Sequence, residues 1–176
     1  MVTWVILVFV SWFASTISGM AGFGGSLIIL PVIAYLIGVK KAIPILTIAW
    51  LMGNFSRAAF SYKEIQWKPV ALFCVGALPG AIIGSLLFVE LPAKIILHVI
   101  GIFLIIIVVL RRFKALPTLS PRWLIFWGIL VGFLSAVIGS AGPIGAAAFL
   151  SLNLAPVAYI ASEAVTAVFM HFVKTV

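Results

Sequence analysis

The sequence predicts an all-α, polytopic membrane protein with two inverted repeats, each opening with a glycine-broken re-entrant hairpin. Three observations carry this. Hydrophobic residues make up 65% of the 176-residue chain and charged residues 8%, with a mean hydropathy of +1.39; a water-soluble surface needs about a quarter of its residues charged. Apolar runs of about 18 residues or more recur along the whole length, the mark of membrane-crossing helices. Finally, the stretch from Phe13 to Gly25 returns 120 residues later as Phe133 to Gly145. Phe13/Phe133, Ser15/Ser135, Gly19/Gly139, Ala21/Ala141, Gly22/Gly142 and Gly25/Gly145 stand in register without a gap. A duplicated hydrophobic segment interrupted by glycine is the best sequence pointer to a transporter's binding site.

The first apolar region runs from Val2 to Ile37. As one straight helix it would be roughly 54 Å long, against a hydrocarbon core about 30 Å thick. Broken at Gly19–Gly25, it gives two arms of roughly 15 and 11 residues, each about half the membrane or somewhat more. Two such arms suit a hairpin that dips to the midplane and returns. A single broken, strongly tilted span is the alternative. Spans follow over residues 42–61, 69–89 and 95–110. The second of these holds Gly76, Gly80 and Gly84 at four-residue spacing, which predicts a close helix–helix seam. A second broken region covers residues 123–154, with its break at Gly139–Gly145, and a last span starts near Val157. Residues 1–116 therefore read as the first repeat and 117–176 as a partial second one. On the 120-residue period a full second copy needs on the order of 55 further residues, so its C-terminal part is expected to be missing.

The net charge of +8 does not point to nucleic acid. Most basic residues sit in short connections between apolar runs, the pattern of membrane topology rather than of a phosphate-tracking patch. If the segments alternate, Lys63, Lys68, Arg111, Arg112, Lys114 and Arg122 share one side, and Lys40, Lys41 and Lys94 the other. The connection 111–122 is thus expected to be cytoplasmic, in a multi-pass protein of the cell (inner) membrane. Three crossings then separate the two hairpins, so the second enters from the opposite face and the repeat is inverted.

The single cysteine, Cys74, lies in an apolar run, so neither an intrachain disulfide nor a thiolate zinc site can form. The chain has no Asp and three Glu. It shows no carboxylate pair, no Ser/His/Asp set, no P-loop and no metal-spaced cluster, so no enzyme, metal or cofactor is expected. His98 and His171 are solitary and read as packed side chains.

The candidate binding residues are Gly19, Gly22, Gly24, Gly25 and Ser26 at the first break, and Gly139, Ser140, Gly142 and Gly145 at the second. Unwinding frees N–H groups where each second arm begins, near Ser26 and Ala146. Those donors, with the positive end of the helix dipole, make a site for an anion. Ser18, Ser26 and Ser140 could add hydroxyls without fixed charge. Asn54, inside an apolar span, needs a partner: substrate or a neighbouring helix. Arg57 either snorkels to the interface or counters an anion. Glu163 is the one acid well inside an apolar segment and the candidate for coupling to a proton or ion. The expected partners are a small anionic substrate and the lipid bilayer, with a homo-oligomer left open.

The run from Gly19 to Pro31 with Gly38, and the stretch from Gly128 to Gly145, resemble the two repeats of the TauE/SafE family, the sulfite exporter or sulfonate permease group. The resemblance implies a multi-span inner-membrane carrier of sulfite, organosulfonates or related small anions, built from two four-segment halves. The second break reads Gly-Pro-Ile-Gly (142–145), where the family more often has consecutive glycines. The resulting expectation is a secondary carrier working by alternating access. A carrier of another small solute, such as a carboxylate, or a non-transporting membrane subunit are the other readings.

Overall fold

Within hydrocarbon every backbone N–H and C=O must be paired inside the chain, and a helix does this locally. The computed structural model describes residues 2–21, 25–110 and 120–175, with side-chain surroundings for 7–17, 25–109 and 120–175. Its regular elements are all helical: α1 (Val2–Ala21), α2 (Gly25–Ile37), α3 (Val39–Phe60), α4 (Trp67–Glu90), α5 (Ala93–Leu110), α6 (Trp123–Ile138), α7 (Gly142–Leu150) and α8 (Pro156–Thr175). One 3-10 turn, Tyr62–Glu64, links α3 to α4. Among the described residues, α3, α4 and α8 are long and apolar enough to cross a membrane by length and composition. The chain is a helical membrane protein.

The helix faces sort by partner rather than by polarity. Phe9, Met52 and Val108 are 68%, 70% and 69% exposed, far too much apolar surface for a monomer in water. Lipid is the solvent for those faces. In α8, 56% of the most apolar stretch is buried, against 22% in α3, which makes α8 the central helix.

Helices α1 and α2 pack on each other across the first glycine stretch, and α6 packs on α7 across the second. The second arm was expected to begin near Ala146, but α7 begins at Gly142. Pro143 accounts for the earlier start: its fixed φ suits a first turn, where its missing N–H costs nothing. Helix α6 ends at Gly139, whose φ of +78° is a left-handed cap that glycine adopts without strain.

The tightest packing joins α4 to α6. A Cβ added at Gly76 or Gly80 would strike the carbonyls of Ile125 or Ile129, and one at Gly128 or Gly132 those of Phe73 or Ala77. Small residues on both sides thus let the two backbones touch, the packing that holds helices together in lipid. At the far end of α4, Lys40 Nζ donates to the carbonyls of Phe88 (2.7 Å) and Val89 (2.8 Å). A cation there satisfies last-turn acceptors and meets the negative end of the helix dipole.

Two apolar cores result. One is built from α1, α2, α3 and α5 with Ile138. The other comes from α4, α6, α7 and α8 with Ile65. Leu134 and Ile144, flanking the second break, pack against both.

Replacing Gly80 by leucine should lower the melting temperature of the detergent-purified protein, at a cost of about 1–3 kcal/mol for overpacking. The same change at Gly101, where an added Cβ meets nothing within 4 Å, should leave melting nearly unchanged.

Candidate functional site: a polar cavity at the second glycine break

Polar side chains on a membrane helix avoid lipid by turning toward the bundle interior. On α3, Trp50, Asn54 and Arg57 stand at i, i+4 and i+7, one helical face. On α8 the same spacing aligns Glu163, Ala167, Met170 and His171. Since α3 packs on α8, the two faces meet. Together with Ser26, Ser135, Gly139, Ser140, Ala141 and Gly142 they enclose a cavity of about 60 Å³.

A serine beside each glycine break reaches this cavity. Ser26, one residue into α2, and Ser140, between α6 and α7, hydrogen-bond through their hydroxyl groups. Around the corner Asn54 works in two directions. Its Nδ2 donates to Trp50 O at 2.8 Å, and its Oδ1 accepts from Arg57 Nη2. Arg57 Nη2 also lies 3.7 Å from Glu163 Oε2, with the arginine side chain 22% and the glutamate 7% exposed. Glu163 Oε2, Tyr159 Oη and His171 Nδ1 are buried with no hydrogen-bond partner among the described residues. The His171 ring lies 6.0 Å from that of Trp50.

At the opening of α7, Pro143 carries no N–H, and the amides of Ile144 and Gly145 donate to Ala141 O at 3.0 and 3.1 Å. The Gly142 N–H has no backbone acceptor among the described residues. A second cavity of about 450 Å³ adjoins the first and shares Trp50, Asn54 and Arg57 with it. Its remaining wall is mostly apolar, with Ile29, Ile33, Ile45 and Leu46. The pair forms a charged corner, with Arg57 facing Glu163, beside a mostly apolar vestibule.

The family model described as Sulfite exporter TauE/SafE matches residues 7–176, nearly the whole chain. The chain belongs to the TauE/SafE family. Membership implies membrane transport of sulfur anions such as sulfite. No curated protein matches the chain, and no solved structure does.

In this TauE/SafE chain, seven of the residues singled out from sequence line the polar cavity: Ser26, Asn54, Arg57, Gly139, Ser140, Gly142 and Glu163. Gly25 lines the adjoining vestibule. Gly145 lies inside α7, its N–H already committed to Ala141 O. Gly19 falls in the last turn of α1, and its surroundings, like those of Ser18, are outside the described residues. Gly22 and Gly24 also lie outside them.

Sequence reasoning underweighted Arg57 and Glu163 and passed over Trp50, Ser135 and His171. The i, i+4, i+7 spacing of Trp50, Asn54 and Arg57 on α3 and the i, i+8 spacing of Glu163 and His171 on α8 are the signals that find all but Ser135, which lies on α6. Lys174 extends the α8 stripe, donating from Nζ to Ser135 O at 3.2 Å and Ser135 Oγ at 2.9 Å. The other histidine differs from the packed side chain expected: His98 is exposed on α5, its Nδ1 2.6 Å from Lys94 O. Its position on the outward face of the helix accounts for this.

Gly139→Ala should destabilise the protein by about 1–2 kcal/mol, the cost of a Cβ in left-handed backbone. The new atom would also sit 2.9 Å from Ile43 Cγ1. Gly145→Ala, whose Cβ would meet Val131 Cγ1 at an ordinary 3.6 Å, should melt close to wild type in the same thermal assay.

Proposed function

We propose that this TauE/SafE protein is a secondary carrier that holds a small sulfur oxyanion, such as sulfite or the head of an organosulfonate, between its two glycine breaks. The observation that supports this most is the meeting of Ser26 and Ser140 on the wall of a cavity that Arg57 also lines. By the measure in which one water needs about 10–15 Å³, the 60 Å³ cavity holds on the order of four waters. Sulfite has a comparable number of heavy atoms. Arg57 supplies charge and a planar fork of donors suited to oxyanions. The serine hydroxyls, Asn54 and the Gly142 amide add donors without fixed charge. The apolar vestibule fits the carbon portion of a sulfonate.

Gly19, Gly22, Gly24 and Gly25 complete the site on the first-break side in this reading, with Gly145 shaping α7 behind it. Residues 1–116 and 117–176 are the opposed halves, and alternating access exposes the anion to one face and then the other. Carriers built on inverted repeats place substrate at the interface between them. The segment 111–122 faces the cytoplasm of a cell-membrane protein.

Uptake of labelled sulfite by vesicles containing the natural full-length protein tests the proposal. Arg57→Gln removes a charge-assisted hydrogen bond worth about 1.5–3 kcal/mol, so half-saturation should move up by roughly ten- to a hundredfold. Gly142→Val should block uptake by filling the space at the start of α7. Sulfite movement unaltered by both changes, or displaced more strongly by acetate than by methanesulfonate, would overturn the assignment.

Orientation has its own check. Ser120 is exposed, so Ser120→Cys in a Cys74→Ser background should react with a membrane-impermeant maleimide only after cells are opened. Labelling of intact cells would place that connection outside.

A further inference from the structure

We infer that Glu163 couples the carrier to protons, the anion reaching Arg57 only when the Glu163 carboxylate has been neutralised by a proton. This rests on the reading of the cavity as the anion site and adds what drives transport through it. Glu163 is 5% exposed and lines the same cavity as Arg57. Its Oε2 lies 3.7 Å from the guanidinium and has no hydrogen-bond partner among the described residues. An anion entering so small a space would sit beside a carboxylate as well as a guanidinium. Two like charges sharing a low-dielectric site disfavour each other strongly, and adding a proton to one of them relieves it.

The exchange balances simply. A proton from the aqueous side joins a Glu163 oxygen, and the neutral acid then offers an O–H donor where it had offered a charge. Arg57 keeps its proton and turns its N–H groups from the carboxylate to the anion. On the far side the anion leaves, Glu163 gives up its proton, and the ion pair re-forms for the return. One proton accompanies each anion, and no bond within the anion changes.

The surroundings single out Glu163 for this role. Arg57 is the charged group that faces it from α3. Tyr159 precedes it by one turn on α8, and His171 and Lys174 follow it. Helices α6 and α7 have no titratable side chain and contribute Ser135 and Ser140. On α4, Lys68 and Glu90 are exposed, and Cys74 packs into the core that α4 shares with α6, α7 and α8, outside the cavity lining. Tyr62, Lys63 and Glu64 of the 3-10 turn are exposed as well. Of the two cavity groups able to take up a proton, His171 would add a cation without clearing the guanidinium. Only Glu163 ties the arrival of the proton to the availability of Arg57.

The experiment uses the natural full-length protein in sealed vesicles, with potential clamped by potassium and valinomycin and the interior one pH unit more alkaline than outside. For one proton per anion, that gradient drives about a tenfold accumulation of labelled sulfite. Accumulation is read relative to protein-free vesicles under the same gradient, so that the contribution of sulfite's own protonation cancels. Glu163→Gln, shaped like the neutral acid, should let sulfite equilibrate with none of that excess. His171→Gln should retain the excess whatever it does to rate. A wild-type excess missing under the gradient, or one that persists in Glu163→Gln or disappears only in His171→Gln, overturns the inference while leaving the carrier intact. Wild-type vesicles that move no sulfite overturn the carrier reading itself. If Glu163→Gln does not fold, wild-type accumulation with and without the gradient decides alone, since equal values overturn proton coupling.

Discussion

A backbone that leaves the helix inside a membrane must be walled off from lipid, because hydrocarbon offers no partner to a bare amide or carbonyl. The arrangement of this chain follows from that requirement. The interruption between α6 and α7 is closed on itself by a left-handed glycine and by amides folded back onto Ala141. It is enclosed by α3, α8 and the start of α2, whose Ser26 reaches Ser140. Leu134 and Ile144 carry the packing of both apolar cores up to its edges.

The same enclosure explains where the polar side chains go. An arginine or glutamate on a membrane helix is stable only beside a partner or in a sheltered cavity. Breaking a buried pair by removing one member leaves a charge uncompensated, which is worse than having no pair. Arg57 is held from two sides, by Asn54 from its own helix and by Glu163 from α8. That neighbourhood concentrates charge where irregular backbone already lies. Charged side chains and structural necessity therefore share one location.

Much of this was legible in the sequence, for identifiable reasons. Membrane class and helical elements follow from apolar run lengths, which the thickness of the bilayer constrains tightly. The α4–α6 seam followed from Gly76, Gly80 and Gly84, since small residues at four-residue spacing have little other use on a membrane helix. The identity of α6 as the partner did not, because pairing between segments distant in sequence has no local signature. Ser26 and Ser140 were legible as neighbours of glycine breaks. Trp50 and His171 were not, because an aromatic or a lone histidine in an apolar run reads as filler until the helix facing it is known. The start of α7 was misplaced because the repeat alignment transferred the first break's boundary, while Pro143 sets its own.

The seam between α4 and α6 bears on how such a bundle can move. At its glycines main chain meets main chain, with no side chain there long enough to yield. Yet α4 belongs to the earlier half of the sequence and α6 to the later. The seam therefore ties the two sequence halves together through their main chains. Lys40, grasping two successive carbonyls at the end of α4, fastens α3 to the same helix. The bundle thus joins a weld across its halves to a clasp within one of them.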